Sequence, residues 1–129
     1  MRRLTLIPAT ALAAAFALAP FAAKAQDGDP AAGQRVFNQC RACHTINEGG
    51  RNGVGPNLHG VVGRAAGTVE GFRYSAAMQE WREGKTWMEE NLRAYLTDPK
   101  ALIPRGSMSF AGLRNPTQLN DVIAYLKAN

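Results

Sequence analysis

Apolar residues along this chain recur with helical spacing, and no stretch alternates as a half-buried strand does. Gly33, Val36, Phe37 and Cys40 fall at i, i+3, i+4 and i+7, one face of a helix. Asp29-Pro30 begins that helix with a capping side chain, followed by a proline whose missing N–H costs nothing in the first turn. Met88, Leu92, Tyr95 and Leu96 form a second stripe behind Thr86-Trp87-Met88-Glu89, the pattern of a capping box. This second helix stops before Pro99, because a proline disfavours helical backbone in the residue before it. Leu119, Val122, Ile123 and Leu126 make a third amphipathic face, opened by Asn115-Pro116. Ser75 opens a shorter helix from Ala76 to about Trp81.

Between the first and the short helix the pattern breaks down. Residues 45–73 are punctuated by Gly49, Gly50, Gly53, Gly55, Gly60, Gly63, Gly67 and Gly71, a density that no strand survives. A loop this long without its own structure is unusual in a small domain. It needs something to wrap, and a flat cofactor can replace the missing core. The expected fold is a small all-α domain, three main helices plus a short one, with long loops around that cofactor.

The N-terminus has a different character. Met1-Arg2-Arg3 is a short basic region, Leu4 to Phe21 is apolar and alanine-rich, and Ala23-Lys24-Ala25 is an A-x-A cleavage signal. The expected organisation is a cleaved secretory signal peptide over 1–25 and a single domain over 26–129, placed in the periplasm. The alternative is an uncleaved anchor, since the apolar run approaches membrane-spanning length; Pro8 and Pro20 count against it. Removing Arg2, Arg3 and Lys24 from the 15 basic residues leaves 12 against 10 acidic ones, a net charge of +2. The basic balance of the whole chain is thus mostly signal peptide. Without a basic run interleaved with aromatics, it makes no case for nucleic acid.

Cys40-Arg41-Ala42-Cys43-His44 holds the only two cysteines of the chain. A Cys-x-x-Cys-His run is the attachment signature of a c-type haem. On a helical turn, positions i and i+3 share a face. Both thiols then reach the two vinyl groups of one porphyrin, and His44 points at the iron between them. A thiol redox pair, a structural disulfide or half of a zinc site are other readings. A zinc site needs two more spaced ligands, and His59 is the only other histidine.

A haem iron needs a second axial group to close it for electron transfer, and a histidine–methionine pair is a common solution. Met1 leaves with the signal, so Met78, Met88 and Met108 are the candidates. Met88 and Met78 lie where helical stripes use methionine as core filler. Met108 belongs to no stripe and sits in a loop between Pro104 and Gly112, which makes it the preferred ligand. His59, 15 positions after His44 and needing to cross to the opposite haem face, is the rival.

In addition to that motif, the chain carries Gly55-Pro56-Asn57-Leu58-His59-Gly60, Gly71-Phe72-x-Tyr74, Thr86-Trp87, Asp98-Pro99-Lys100 and Met108-x-Phe110-Ala111-Gly112. In this order and spacing the chain resembles class I cytochrome c, specifically the small monohaem bacterial branch close to the mitochondrial type. The match runs from about Gly33 to Leu126. It implies one haem c bound through Cys40 and Cys43, His44 donating its other ring nitrogen to the Pro56 carbonyl, and Met108 as distal ligand. It also implies Arg64, Tyr74 and Trp87 around the propionates, Tyr95 beside the Met108 sulfur, and Gly33 and Phe37 meeting Val122 and Tyr125 where the terminal helices cross.

The same resemblance implies a monomeric one-electron carrier, not an enzyme. Its partners would be transient redox proteins: membrane cytochrome complexes, oxidases, a reaction centre or periplasmic dehydrogenases. A haem enzyme or gas sensor is the other class of reading, and no dedicated distal acid–base group supports it. The chain departs from the mitochondrial pattern at Gln39, Gly106, Ser107 and Arg114-Asn115-Pro116, which thins the lysine ring used there for docking.

Overall fold

Asp29 caps the first helix, α1 (Pro30–Phe37): its side chain accepts from the Ala31 N–H at 2.9 Å, and Pro30 takes the first position. The computed structural model describes residues 27–129, so the expected signal peptide and its cleavage site lie outside the described residues. Four further helices follow: α2 (Ala76–Trp81), α3 (Glu89–Thr97), α4 (Pro99–Leu102) and α5 (Pro116–Lys127). Among the described residues there is no strand, only an isolated bridge between Ala65 and Thr86. No helix among them is long and apolar enough to cross a membrane.

The terminal helices α1 and α5 form the main helix–helix contact. Phe37 stacks at a tilt against Tyr125, ring centroids 5.2 Å apart, and both are buried with Val122, Ile123 and Leu126. Each such side chain, fully buried, contributes roughly 1.5–3 kcal/mol. The Asp29 N–H donates to Asp121 Oδ1 at 2.8 Å, so α1 starts already fastened to α5. Asn115 caps α5 by accepting from the Thr117 and Gln118 N–H groups, as its sequence predicts.

Three details differ from the sequence expectation. The regular part of α1 ends at Phe37, and tighter turns carry the chain on through Cys40. The capping box at Thr86 does not form. Thr86 pairs with Ala65, the Trp87 N–H donates to the Arg64 carbonyl at 2.8 Å, and the Gly63 N–H donates to the Trp87 carbonyl at 2.9 Å. That backbone is committed to the glycine-rich loop, so α3 begins later, with Met88 as an N-cap lacking a side-chain bond. Glu89 and Glu90 in the first turn favour the positive end of the helix dipole instead. Finally, α3 does stop before Pro99, but the chain then winds into α4, with Asp98 accepting from the Ala101 N–H at 3.1 Å. A proline that ends one helix is well placed at the first position of the next.

Candidate functional site

The turns after α1 keep the winding of a helix. Cys40 N–H donates to the Phe37 carbonyl at 2.8 Å, and the Cys43 and His44 N–H groups both donate to the Cys40 carbonyl, at 3.1 and 3.0 Å. These bonds, spanning three and four residues, hold the two thiols and the imidazole on neighbouring positions of one turn. Both cysteines are half-buried and are not joined in a disulfide. Among the described residues no group of three or more His, Cys, Asp or Glu side chains is placed to hold a metal ion.

The His44 ring is oriented by one bond: Nδ1–H donates to the Pro56 carbonyl at 2.7 Å. A carbonyl only accepts, so the proton is on Nδ1 and the lone pair is on Nε2. Burial lowers the ring's pKa below the ordinary histidine value, partly opposed by the Pro56 bond. An imidazole that donates from Nδ1 and keeps the Nε2 lone pair is what an iron ligand requires. The opposite wall of the ring is Gly55, where a Cβ would lie 2.2 Å from His44 Cε1. Only a glycine lets the backbone pass there. Two thiols for two vinyl groups, a tautomer-locked imidazole and a side-chain-free wall together fit a c-type haem.

The remaining expected site residues are distributed along the loops. Arg64 is half-buried and donates from Nη1 to the His59 carbonyl at 3.0 Å and from Nη2 to the Asn57 carbonyl at 3.2 Å. Burial lowers its pKa, and an electrostatic interaction with Tyr74 opposes that. The Tyr74 hydroxyl accepts from the Val69 N–H at 3.0 Å, while its ring meets Phe72 edge-on. Trp87 is buried between Trp81 and Tyr95, with ring centroids 5.1 Å away on each side. Burial raises the Tyr95 phenol above its ordinary pKa.

Met108 is half-buried in a loop held at both ends. The Gly106 N–H donates to the Ile103 carbonyl, the Lys100 ammonium donates to the Gly106 carbonyl, and the Leu113 N–H donates to the Leu96 carbonyl at 2.7 Å. The other methionines separate clearly. Met78 is buried in the core as expected, but Met88 is 56% exposed and fills nothing. The stripe placed Met88 inside α3; as the N-cap it precedes the first turn and its side chain leaves the apolar face. His59 is exposed on the glycine-rich loop.

Two groups of residues were missed from sequence. Trp81 joins Trp87 and Tyr95 in a continuous aromatic stack, with Lys85 lying 5.9 Å over its outer ring. Thr45, Asn52 and Asn57 tie the glycine-rich loop together through side-chain bonds. The available signal was the habit of Asn and Thr to satisfy loop backbone, here on either side of Gly-Pro.

Residues 30–129 match the family model described as Cytochrome c. The chain is 48% identical to cytochrome c2 of Blastochloris viridis over 87% of this chain and 87% of that protein. Among solved structures it is similar to cytochrome cH from Methylobacterium extorquens, with a TM-score of 0.72, 43% identity, and coverage of 79% of this chain and 100% of that one. It is also similar to cytochrome c2 from Rhodospirillum centenum, with a TM-score of 0.74, 40% identity, and coverage of 78% and 98%.

Proposed function

This chain belongs to the cytochrome c family, an electron carrier with one haem c attached through Cys40 and Cys43, and we propose that His44 and Met108 close its iron from opposite faces. The observation that carries this reading is the His44–Pro56 bond, which commits Nδ1 as donor and leaves Nε2 as the free base. Met108 is favoured because Met78 is core and Met88 faces solvent, whereas the Met108 loop is pinned by Lys100 and Leu113.

Bound haem supplies a one-electron Fe(III)/Fe(II) couple. The chain's own residues do the rest. The two cysteines keep the group from dissociating, and the half-buried imidazole and thioether hold both axial positions, so cycling rearranges little. Arg64, Tyr74 and Trp87 offer donors to charge taken out of water, which is costly unless partnered. Tyr95 lines the Met108 side.

We place the working protein in the periplasm, exported by a cleaved signal over 1–25. Its redox partners there are membrane cytochrome complexes, oxidases, a reaction centre or periplasmic dehydrogenases, met through small transient interfaces. Met108→Ala tests the assignment. The expected result is loss of the sulfur-to-iron charge-transfer band in the oxidised protein, a lower midpoint potential and new carbon monoxide binding. An unchanged spectrum and potential would assign the sixth position to another residue.

A further inference from the structure

Four hydrogen bonds join residues 43–45 to residues 55–58 as successive rungs. The Gly55 N–H donates to the Cys43 carbonyl at 2.9 Å, and His44 Nδ1–H donates to the Pro56 carbonyl at 2.7 Å. Asn57 Nδ2 donates to Thr45 Oγ1 at 2.7 Å, and the Leu58 N–H donates to the Thr45 carbonyl at 2.8 Å. Three of these rungs use backbone on at least one side that any sequence would supply. The Thr45–Asn57 rung alone is made wholly by side chains, and it lies directly beside the His44–Pro56 bond.

Every N–H donor of Asn57 is used. Its second Nδ2 hydrogen goes to the Asn47 carbonyl at 3.0 Å, and its Oδ1 accepts from the His59 N–H at 3.1 Å. Its own N–H donates to Asn52 Oδ1 at 2.9 Å, and its carbonyl accepts from Arg64. Asn52 is in turn tied to the Glu70 carbonyl at 3.1 Å, and Thr45 donates to the Arg51 carbonyl at 2.9 Å. Through its side chain and backbone together, Asn57 therefore joins three other stretches of loop, at residues 45–47, 52 and 64, at the position that follows Pro56.

We propose that Asn57 is the positioning residue for the His44 imidazole. It acts through Pro56, fixing where that carbonyl stands against Nδ1–H and so how strongly Nε2 donates. A partner on the far nitrogen raises the basicity of a metal-bound histidine. With Asn57 replaced, the Pro56 carbonyl is held less firmly, Nε2 becomes a weaker donor and the oxidised state loses support. The inference rests on His44 being an axial ligand.

Holoprotein variants Asn57→Leu, Thr45→Val and Thr45→Ser test it. Thr45→Val removes the rung and Thr45→Ser keeps it. Asn57→Leu and Thr45→Val should each raise the reduced-to-oxidised ratio at fixed poise about threefold, equivalent to about 30 mV for one electron. Both should also speed solvent exchange of the His44 Nδ1 proton. Thr45→Ser should keep wild-type values, and the double variant should be non-additive because both changes break one rung. If Asn57→Leu does not fold, the Thr45→Val and Thr45→Ser pair decides. Folded variants with unchanged potential and exchange would overturn the role of Asn57. The ligand reading is tested separately in the wild type. If the His44 ring protons of the oxidised protein show no hyperfine shift, His44 is not the ligand and the positioning role falls with it.

Discussion

Gly33 on α1 lies so close to Asp121 on α5 that no side chain fits between them: a Cβ on Gly33 would stand 1.9 Å from the Asp121 carbonyl oxygen and 2.8 Å from Tyr125 Cβ. The obstructing atoms are mostly backbone, so the helices themselves would have to separate. That contact brings Phe37 onto Tyr125 and makes the packing of the two chain ends depend on one missing methyl group.

Gly33→Ala should therefore destabilise the fold by about 1–3 kcal/mol or more, the usual range for overpacking a tight contact. The check is a lower urea midpoint in the holoprotein. The haem absorption of the folded state should stay as in the wild type, because the strain lies between helices and away from His44.

Gly55→Ala should do the reverse. Its new Cβ would meet the His44 ring and push it off the Pro56 carbonyl. A changed absorption spectrum and a raised midpoint potential are expected even where the urea midpoint falls little. A wild-type spectrum in the folded variant would show that the loop yields instead of the ring.

Trp81→Ala should cost at least about 1 kcal/mol, since it removes one member of the stack through Trp87 and Tyr95 and the area it covers. Near-ultraviolet circular dichroism reports the loss of the stacked pair. Lys85→Met should change stability much less, because the cation lies on the outer face of Trp81 and is solvated there.

Glu89 gives the fold an acid-sensitive clasp. It receives hydrogen bonds from Lys127 and Arg93, which hold its carboxyl below the ordinary glutamate range. A depressed folded pKa means the stabilisation is complete above the unfolded pKa and is lost as pH falls through the folded one. Both pairs are partly exposed and screened by water, so Glu89→Gln should cost no more than about 1 kcal/mol at neutral pH. Denaturation curves of wild type and variant should converge at acidic pH, and also in high salt.

Much of the architecture was legible in the order of residues. Asp29-Pro30 and Asn115-Pro116 predict helix starts that the structure reproduces, because a cap and its proline act over a single turn. The core positions Phe37, Leu92, Leu119, Val122, Ile123 and Leu126 follow from their spacing. The haem-binding motif is equally local: its chemistry needs two thiols and an imidazole within one turn. Local signals failed where distant backbone competed. Thr86 has the spacing of a capping box, yet its strand-like pairing with Ala65 takes that backbone and leaves Met88 outside the helix.

The sequence by itself determined where the haem is attached and where helices can begin, since both are set by neighbours a few positions apart. Only the tertiary structure decided how the His44 imidazole is held. The ring's tautomer and orientation depend on a carbonyl twelve residues away, on a glycine wall that admits it, and on an asparagine whose partners lie in three other stretches of loop. No periodicity encodes such contacts. They exist only once the glycine-rich loop has closed on itself, when each buried polar group must find a partner or lose the free energy of leaving water.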